Sequence, residues 1–297
     1  MFQFGADNWI KYGWGPELKD DWYKDAPLVI DFTNSDKPIE KMPALRAARK
    51  SIDHIVANYP APYTLMCSGG VDSQAMLWAW HTSGHPFSVV SIKYVTDGVW
   101  YNNHDLVTLE LFTKRHNIPV TYREFDVIDF LENGELQKYA KEYDCHSPQI
   151  CTFIKMVDQI QEGTALFAGN HISPYYAGLN YTILGLQRYA SQTDFPKVIP
   201  SFLTFTPELA YSMIHANLSV GSKDEFYTVS GLPVVSSRKL TGFEILKEYY
   251  DSTFVSPAVK LRCMSKASSR PFDLLFRYSL EDERAVDPAM VICKTHK

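Results

Sequence analysis

The sequence predicts an α/β fold: a parallel, doubly wound sheet with helices on both faces and a mostly helical C-terminal part. Two observations support this prediction. Short apolar runs, typical of buried strands, alternate with segments of helical periodicity from about residue 60 to residue 172. A Gly-rich turn follows the first apolar run directly, at the position where doubly wound sheets bind their ligands.

Four apolar runs are predicted as the strands of this sheet: Tyr63–Cys67, Phe87–Tyr94, Pro119–Phe125 and Ala165–Ala168. Helices are predicted at 41–58, 74–80, 104–116, 127–143 and 150–161 from their apolar spacing and helix-forming composition. Because a crossover between parallel strands is nearly always right-handed, this alternation places helices on both faces of the sheet.

The chain is predicted to divide into an N-terminal extension (1–40), an α/β domain (41–220) and a helical C-terminal region (221–297). The extension is rich in aromatic residues, Gly, Pro and Asp, and we expect it to be irregular except for one strand, Leu28–Phe32. Such an arm is typical of a segment that packs on its own domain or on a second copy, which leaves a homo-oligomer open. Thr206 and Thr241 have the pattern of helix N-caps in the C-terminal third.

Composition restricts the classes of partner. The net charge of −5 argues against a general nucleic-acid or membrane binder, although Lys260–Arg270 leaves a local basic patch open. No apolar run has the length of a membrane span and the first residues do not resemble a signal peptide, so we expect a cytoplasmic protein. The five cysteines are an odd, scattered set without a Cys-x-x-Cys pair, which predicts neither disulfides nor a zinc or iron–sulfur site.

The Gly-rich turn, here called the Gly-Gly loop, consists of Ser68, Gly69, Gly70, Val71, Asp72 and Ser73. A strand, a glycine turn and a helix N-terminus present backbone N–H groups and the positive end of a helix dipole to an anion. The glycines allow close approach to a phosphate, the two serines add hydroxyl groups, and Asp72 is suited to a divalent cation. No Gly-x-x-x-x-Gly-Lys-Ser/Thr occurs in the chain, so this is not a Walker loop.

These six residues resemble the signature of the PP-loop ATP pyrophosphatases, the adenine nucleotide α-hydrolase superfamily. The resemblance implies that the loop binds the β,γ-pyrophosphate of ATP with Mg²⁺, and that Asp72 and Ser73 act in catalysis. It covers residues 60–172 well. It extends weakly to the synthetase domain of asparagine synthetase-like proteins through Phe202–Leu209 and Lys239–Phe243, without a glutaminase domain, since Phe2 stands where a glutaminase would have cysteine.

The resemblance also assigns residues outside the loop. The end of the second strand, Ile92, Lys93 and Tyr94, is where the family holds adenine through backbone groups. Gly169 and Asn170 follow the fourth strand and are expected to face the nucleotide. Cleavage next to the pyrophosphate requires further cations. Lys223, Arg238 and Lys239 are the first candidates, followed by Arg188 and Arg262.

The implied activity is adenylation: ATP is cleaved to AMP and pyrophosphate, and the activated acceptor is attacked by a nitrogen or sulfur nucleophile. The acceptor is a small molecule or a nucleobase, and ammonia or an amine is supplied free or by a partner protein. Two alternatives stay open at this point. One is a nucleotide binder similar to the sulfonucleotide reductases, with Cys293 as its thiol; the other is a non-catalytic nucleotide-binding module.

Overall fold

A computed structural model describes residues 1–20, 25–32, 39–96, 98–100, 102–145, 148–169, 184–194, 196–212, 226–229, 232–235 and 291–295. The helices are α1 (Ala44–Asn58), α2 (Val71–Ser83), α3 (Asn103–Arg115), α4 (Val127–Glu132), α5 (Glu135–Glu142), α6 (Pro148–Val157) and α7 (Leu184–Gln192). The strands are β1 (Phe2–Phe4), β2 (Ile10–Trp14), β3 (Leu28–Phe32), β4 (Tyr63–Met66), β5 (Ser88–Thr96), β6 (Val99–Trp100), β7 (Val120–Asp126), β8 (Thr164–Phe167), β9 (Lys197–Ile199), β10 (Phe226–Val229), β11 (Leu232–Val235) and β12 (Val291–Thr295).

The larger sheet confirms the predicted α/β class. Five of its strands are parallel in the spatial order β7-β5-β4-β8-β9, and β6 adds a short antiparallel pair at the end of β5. The chain runs from β4 outward through β5 to β7, then returns to the other side of β4 for β8 and β9. The order of strands therefore reverses at β4, and the carboxyl end of β4 is the switch point where sheets of this kind bind ligands.

Helices cover both faces of this sheet, as the alternating pattern predicts. One core joins alternate strand residues such as Leu65 and Leu166 to the buried sides of α1, α2 and α3. The other core joins their sequence neighbours Met66 and Phe167 to α4, α5, α6 and α7. Trp80 of α2 is completely buried in the first core. Burial of large apolar side chains on both faces holds β4 rigidly in the centre of the domain.

The N-terminal extension corrects the sequence prediction. Leu28–Phe32 is a strand as predicted, but the residues before it are not irregular: β1, β2 and β3 form an antiparallel sheet. The fourth strand of this sheet is β12, which pairs with β3 in parallel, so that Val291 lies opposite Leu28. Alternating aromatic residues explain the strands, since Tyr12 of β2 is buried and stacks on Phe2.

Further elements differ from the prediction. The helix predicted at 127–143 is two helices, because Gly134 at φ +83° interrupts it. Strand β6 and strands β9 to β12 were not predicted. The Thr206 cap is confirmed, since its hydroxyl oxygen accepts the Leu209 N–H at 3.3 Å in a helix that begins at residue 207.

The helical C-terminal region is a prediction that falls mostly outside the described residues. Those described after residue 212 form β10, β11 and β12, and β10 pairs with β11 as an antiparallel hairpin. The cap predicted at Thr241 lies outside the described part. The domain boundaries at residues 40 and 220 stay predictions.

Candidate functional site

The Gly-Gly loop joins β4 to α2 at the carboxyl end of the central strand. Cys67 extends β4 beyond the ladder: its N–H donates to the carbonyl of Val90 at 2.9 Å, and its own carbonyl accepts the hydroxyl of Ser91 at 2.6 Å. The chain then turns at Gly69, whose φ of +85° lies in the left-handed region that favours glycine. The residue directly before the loop therefore anchors the chain to the neighbouring strand.

Helix α2 begins immediately after the second glycine. Gly70 is its N-cap, in an extended conformation (φ −67°, ψ 163°), and Val71 is its first residue. N–H groups in the first turn of a helix have no carbonyl partner within the helix, and the dipole adds positive potential there. Asp72 stands in this first turn with a half-buried side chain. This end of α2 thus provides the donors and the potential that an anion requires.

The two serines of the loop have different environments. Ser73 is buried; its hydroxyl donates to the Gly70 carbonyl at 2.9 Å and accepts the Gly69 N–H at 3.0 Å. Ser68 is exposed, and its Oγ accepts the Gly70 N–H at a long 3.4 Å. The Ser73 proton is used inside the loop, so the predicted contact of Ser73 with phosphate stays a prediction and requires that bond to open.

Among the described residues, the space beside Gly70 is open. A Cβ atom added there meets nothing nearer than the Ser68 Oγ, at 3.5 Å, an ordinary contact distance. The φ of Gly70 is also one that any residue adopts. The packing of the described residues therefore does not require this glycine, and the predicted close approach of a phosphate is compatible with the space beside it.

Two residues of the site were missed by the sequence analysis. The carbonyl of Gly69 accepts the side-chain N–H of Gln74 at 2.8 Å and the hydroxyl of Thr108 at 2.6 Å. Both side chains are buried. Gln74 follows the loop directly, so its position was a signal that could have been used. Thr108 comes from α3, and nothing in the sequence marks it.

The predicted adenine position at the end of the second strand already has a side chain bonded to it. Asn102 donates its amide to the Ile92 carbonyl at 2.7 Å and accepts the Tyr94 N–H at 2.9 Å. Asn102 is buried. An adenine ring that bound these two backbone groups would have to displace this side chain, and the assignment of Ile92, Lys93 and Tyr94 stays a prediction under that condition.

Lys93 places a cation near this strand end. Its Nζ lies 3.8 Å from the centre of the Trp100 ring and 4.7 Å from that of Tyr122. Both distances are within the range of cation–π attraction. Burial and the nearby Glu110 raise the pKa of the Tyr122 hydroxyl to about 12, so this ring is neutral near pH 7. The lysine is consequently fixed between two rings.

Gly169, after β8, has a structural explanation. Its φ is +75°, and an added Cβ would lie 2.5 Å from the Cα of Ser201, with the side chain of Ser201 closer still. The residue therefore allows two chain segments to touch. Its predicted contact with a nucleotide stays a prediction.

The other predicted residues of the site are not brought to the loop by the described part of the chain. Asn170, Lys223 and Arg238 lie outside the described residues. Arg188, a lower candidate for phosphate, pairs with Asp144 at 3.4 Å and donates to the backbone carbonyl of Asp20 at 2.7 Å. The structure uses Arg188 to connect α7 to the N-terminal part.

The described thiols are buried. Burial raises the pKa of the Cys67 thiol to about 12, so it stays protonated near neutral pH. Cys145 and Cys151 are buried too, and Cys293, the thiol of the reductase-like alternative, has its backbone in β12 opposite Ile30. Within the described ranges, no group of three or more His, Cys, Asp or Glu side chains is placed to hold a metal ion. None of their helices has the length and apolar character of a membrane span.

Comparisons with known proteins add little. No protein-family model matches the chain, and no curated protein matches it. Among solved structures, the chain is similar to the U34-tRNA thiolase NcsA from Methanococcus maripaludis with its 4Fe-4S cluster. The identity is 16%, 82% of each chain is covered, and the TM-score is 0.38. At this identity and TM-score, the similarity gives no information about the activity of the present chain.

Proposed function

We propose that this chain is an ATP-dependent adenylating enzyme of the PP-loop ATP pyrophosphatase superfamily. It cleaves ATP to AMP and pyrophosphate, and it activates an acceptor for attack by a nitrogen or sulfur nucleophile. The observation that supports this proposal is the Gly-Gly loop at the switch point of the sheet, with open space at Gly70 and the N-terminus of α2 behind it.

The loop suits the pyrophosphate half of ATP. The leaving group of cleavage at the α-phosphorus carries several negative charges, and these need donors that are already oriented before the reaction. The first turn of α2 and the amide of Gly70 provide such donors. One oriented donor of this kind is typically worth about 3 kcal/mol of barrier, on the order of a hundredfold in rate. The absence of a Walker lysine from the sequence favours the α-phosphorus over the γ-phosphorus.

Asp72 offers a carboxylate that fits Mg²⁺. In nucleotide sites this ion is commonly held by one or two carboxylates together with substrate phosphate oxygens. A single half-buried carboxylate at the start of α2, within a described region without a larger ligand cluster, matches that pattern. When bound, Mg²⁺ supplies positive charge to the departing pyrophosphate. Asp72 belongs to the same first turn of α2 as the N–H groups that we propose for the phosphates.

The described thiols bear on the nature of the nucleophile. A sulfur-transfer reaction with a thiol of this chain needs a cysteine that reaches the acceptor as a thiolate. Cys67, the thiol nearest to the loop in sequence, is buried and protonated. We therefore favour a nucleophile that arrives with its own substrate or partner, either ammonia or an amine, or a sulfur donor from outside the chain.

The test is to incubate the protein with Mg²⁺ and ATP labelled at the α- or the γ-phosphate. Small carboxylates, carboxamides and nucleosides serve as candidate acceptors, each with ammonium or sulfide. We expect AMP and pyrophosphate in an acceptor-dependent reaction, and no ADP. Exchange of labelled pyrophosphate into ATP reports the adenylation step without the nucleophile. Formation of ADP would contradict the proposal: a γ-phosphate released as inorganic phosphate would indicate an ATPase, and one transferred to the acceptor would indicate a kinase.

A further inference from the structure

We propose that Gln74 and Thr108 are positioning residues that fix the peptide between Gly69 and Gly70, so that the Gly70 N–H faces the bound pyrophosphate. This inference rests on the proposed function, because the pyrophosphate is its ligand. Neither residue belongs to the six-residue signature, and Thr108 lies 39 residues from Gly69 in the chain.

The Gly69 carbonyl accepts two hydrogen bonds, from Thr108 at 2.6 Å and from Gln74 at 2.8 Å. Both donors are buried, with about one-twentieth of each side chain exposed. A carbonyl has two lone pairs, so both acceptor positions of this oxygen are filled. The carbonyl is therefore held toward the protein interior by donors from two different helices.

The planar peptide bond couples the direction of this carbonyl to the direction of the next N–H. In a trans peptide the C=O and the next N–H point in opposite directions within one plane. A Gly69 carbonyl that points inward thus directs the Gly70 N–H outward. The structure agrees, since among the described residues this N–H contacts the Oγ of Ser68, an exposed residue, at a long 3.4 Å. A phosphate oxygen can replace that long contact.

The two glycines give the loop conformational freedom. Glycine adopts positive and negative φ with similar ease. The peptide plane between two glycines can therefore flip about the axis that joins their Cα atoms at low cost. Rotation would turn the Gly69 carbonyl oxygen toward the phosphates, where its partial negative charge repels them. The same glycines that permit close approach therefore need external donors to select the productive orientation, and Gln74 and Thr108 supply them.

The experiment compares matched variants by calorimetry with ATP, pyrophosphate and AMP. Thr108→Val keeps the shape and removes the hydroxyl, and Thr108→Ser restores the hydroxyl. Thr113→Val is the control, because Thr113 is a buried threonine of the same helix whose hydroxyl donates to the Leu109 carbonyl. Gln74→Met provides an independent removal of the second donor.

We expect Thr108→Val to weaken the affinity for ATP and for pyrophosphate by about tenfold, and its combination with Gln74→Met by about a hundredfold. Thr108→Ser and Thr113→Val should bind like the wild type. AMP affinity should be the same in all variants, because AMP lacks the phosphates that the Gly70 N–H contacts. A merely structural defect would weaken AMP as well.

The outcomes separate the two proposals. Wild-type protein that binds neither ATP nor pyrophosphate overturns both. A different result is that the wild type binds both ligands and that Thr108→Val and Gln74→Met bind them with the same affinity as Thr113→Val. This result leaves the proposed function standing and overturns the positioning role. If Thr108→Val does not fold, Gln74→Met decides the question alone, since its donor comes from α2 and not from α3.

Discussion

Two glycine turns lie at the carboxyl edge of the same sheet, one after β4 and one after β8, and they differ in what occupies the space beside the glycine. At Gly70 an added Cβ meets only the Ser68 Oγ at 3.5 Å, whereas at Gly169 it would overlap Ser201. Among the described residues, the first space is open and the second is filled by the protein. Glycine at the edge of an α/β sheet is thus ambiguous in sequence, and its neighbours in space decide its role.

The largest effect on activity is expected at Asp72, which lies beside Gly70 in the first of these two turns. Asp72→Ala should reduce pyrophosphate release by at least about a hundredfold, since the carboxylate that fits Mg²⁺ is lost. The melting temperature should change little because the side chain is only half-buried. Asp129→Ala is the control, an acidic residue in the first turn of α4. Normal turnover by the Asp72 variant at saturating Mg²⁺ would remove this residue from the mechanism.

The next effect concerns the open space. Gly70→Val should lower ATP affinity by about a hundredfold or more by excluding the phosphate, with Gly70→Ala in between. Stability should be kept, because the φ of −67° suits any residue and, among the described residues, the added Cβ makes only an ordinary contact with the Ser68 Oγ. Calorimetry with ATP on the folded variants measures this. Equal affinity in all three proteins would mean that the glycine serves only the turn.

Gly169 should behave in the opposite way. Gly169→Ala is expected to lower the free energy of unfolding by about 2–4 kcal/mol, through the positive φ and the overlap with Ser201. Gly84→Ala separates the two causes: its φ is +78°, and nothing lies within 4 Å of the added atom. It should cost only about 1 kcal/mol. Denaturant titrations of both variants provide the comparison, and equal losses would show that the contact with Ser201 is unimportant.

The smallest effect is expected at Cys67, directly before the loop. Because burial raises its thiol pKa to about 12, the native protein should resist alkylation by iodoacetamide at pH 8, and the unfolded chain should react. Pretreated native protein should release pyrophosphate at the same rate as untreated protein. Peptide mapping by mass spectrometry identifies the modified residues. Rapid modification of native Cys67 with loss of activity would bring a thiol into the mechanism.

The sequence predicted those parts of the fold that depend on local patterns. The apolar run of β4 and the helix-forming residues Gln74–Trp80 were sufficient to place the Gly-Gly loop at a strand–helix junction. The apolar runs of β5, β7 and β8 predicted the other strands of the sheet. Strand β9, at Lys197–Ile199, is too short to show a period. The sheet of the N-terminal arm depends on β12, whose partner strand is distant in the chain, so no local pattern reveals the pairing.

The site was predictable to the extent that backbone geometry determines it. The turn at Gly69 and the start of α2 after Gly70 agree with the predicted strand–turn–helix geometry, because glycine turns and helix ends are encoded locally. The contact of these residues with phosphate stays a prediction. Asn102 and Thr108 were missed since their roles come from where α3 packs, and a sequence does not mark an asparagine or threonine that will point to a particular carbonyl. The Asn133–Gly134 pair, in contrast, was a visible signal for the break between α4 and α5.

The parallel pairing of β3 with β12 also affects the order in which the protein matures on the ribosome. Residues 33–290 are synthesised between these two strands. At a translation rate of about 5–20 residues per second, β12 is synthesised on the order of 10–50 s after β3. During that time a strand edge in the nascent chain offers its N–H and C=O groups to other polypeptides. The N-terminal sheet is consequently completed only after residue 295 has been synthesised, and β3 lacks its parallel partner until then.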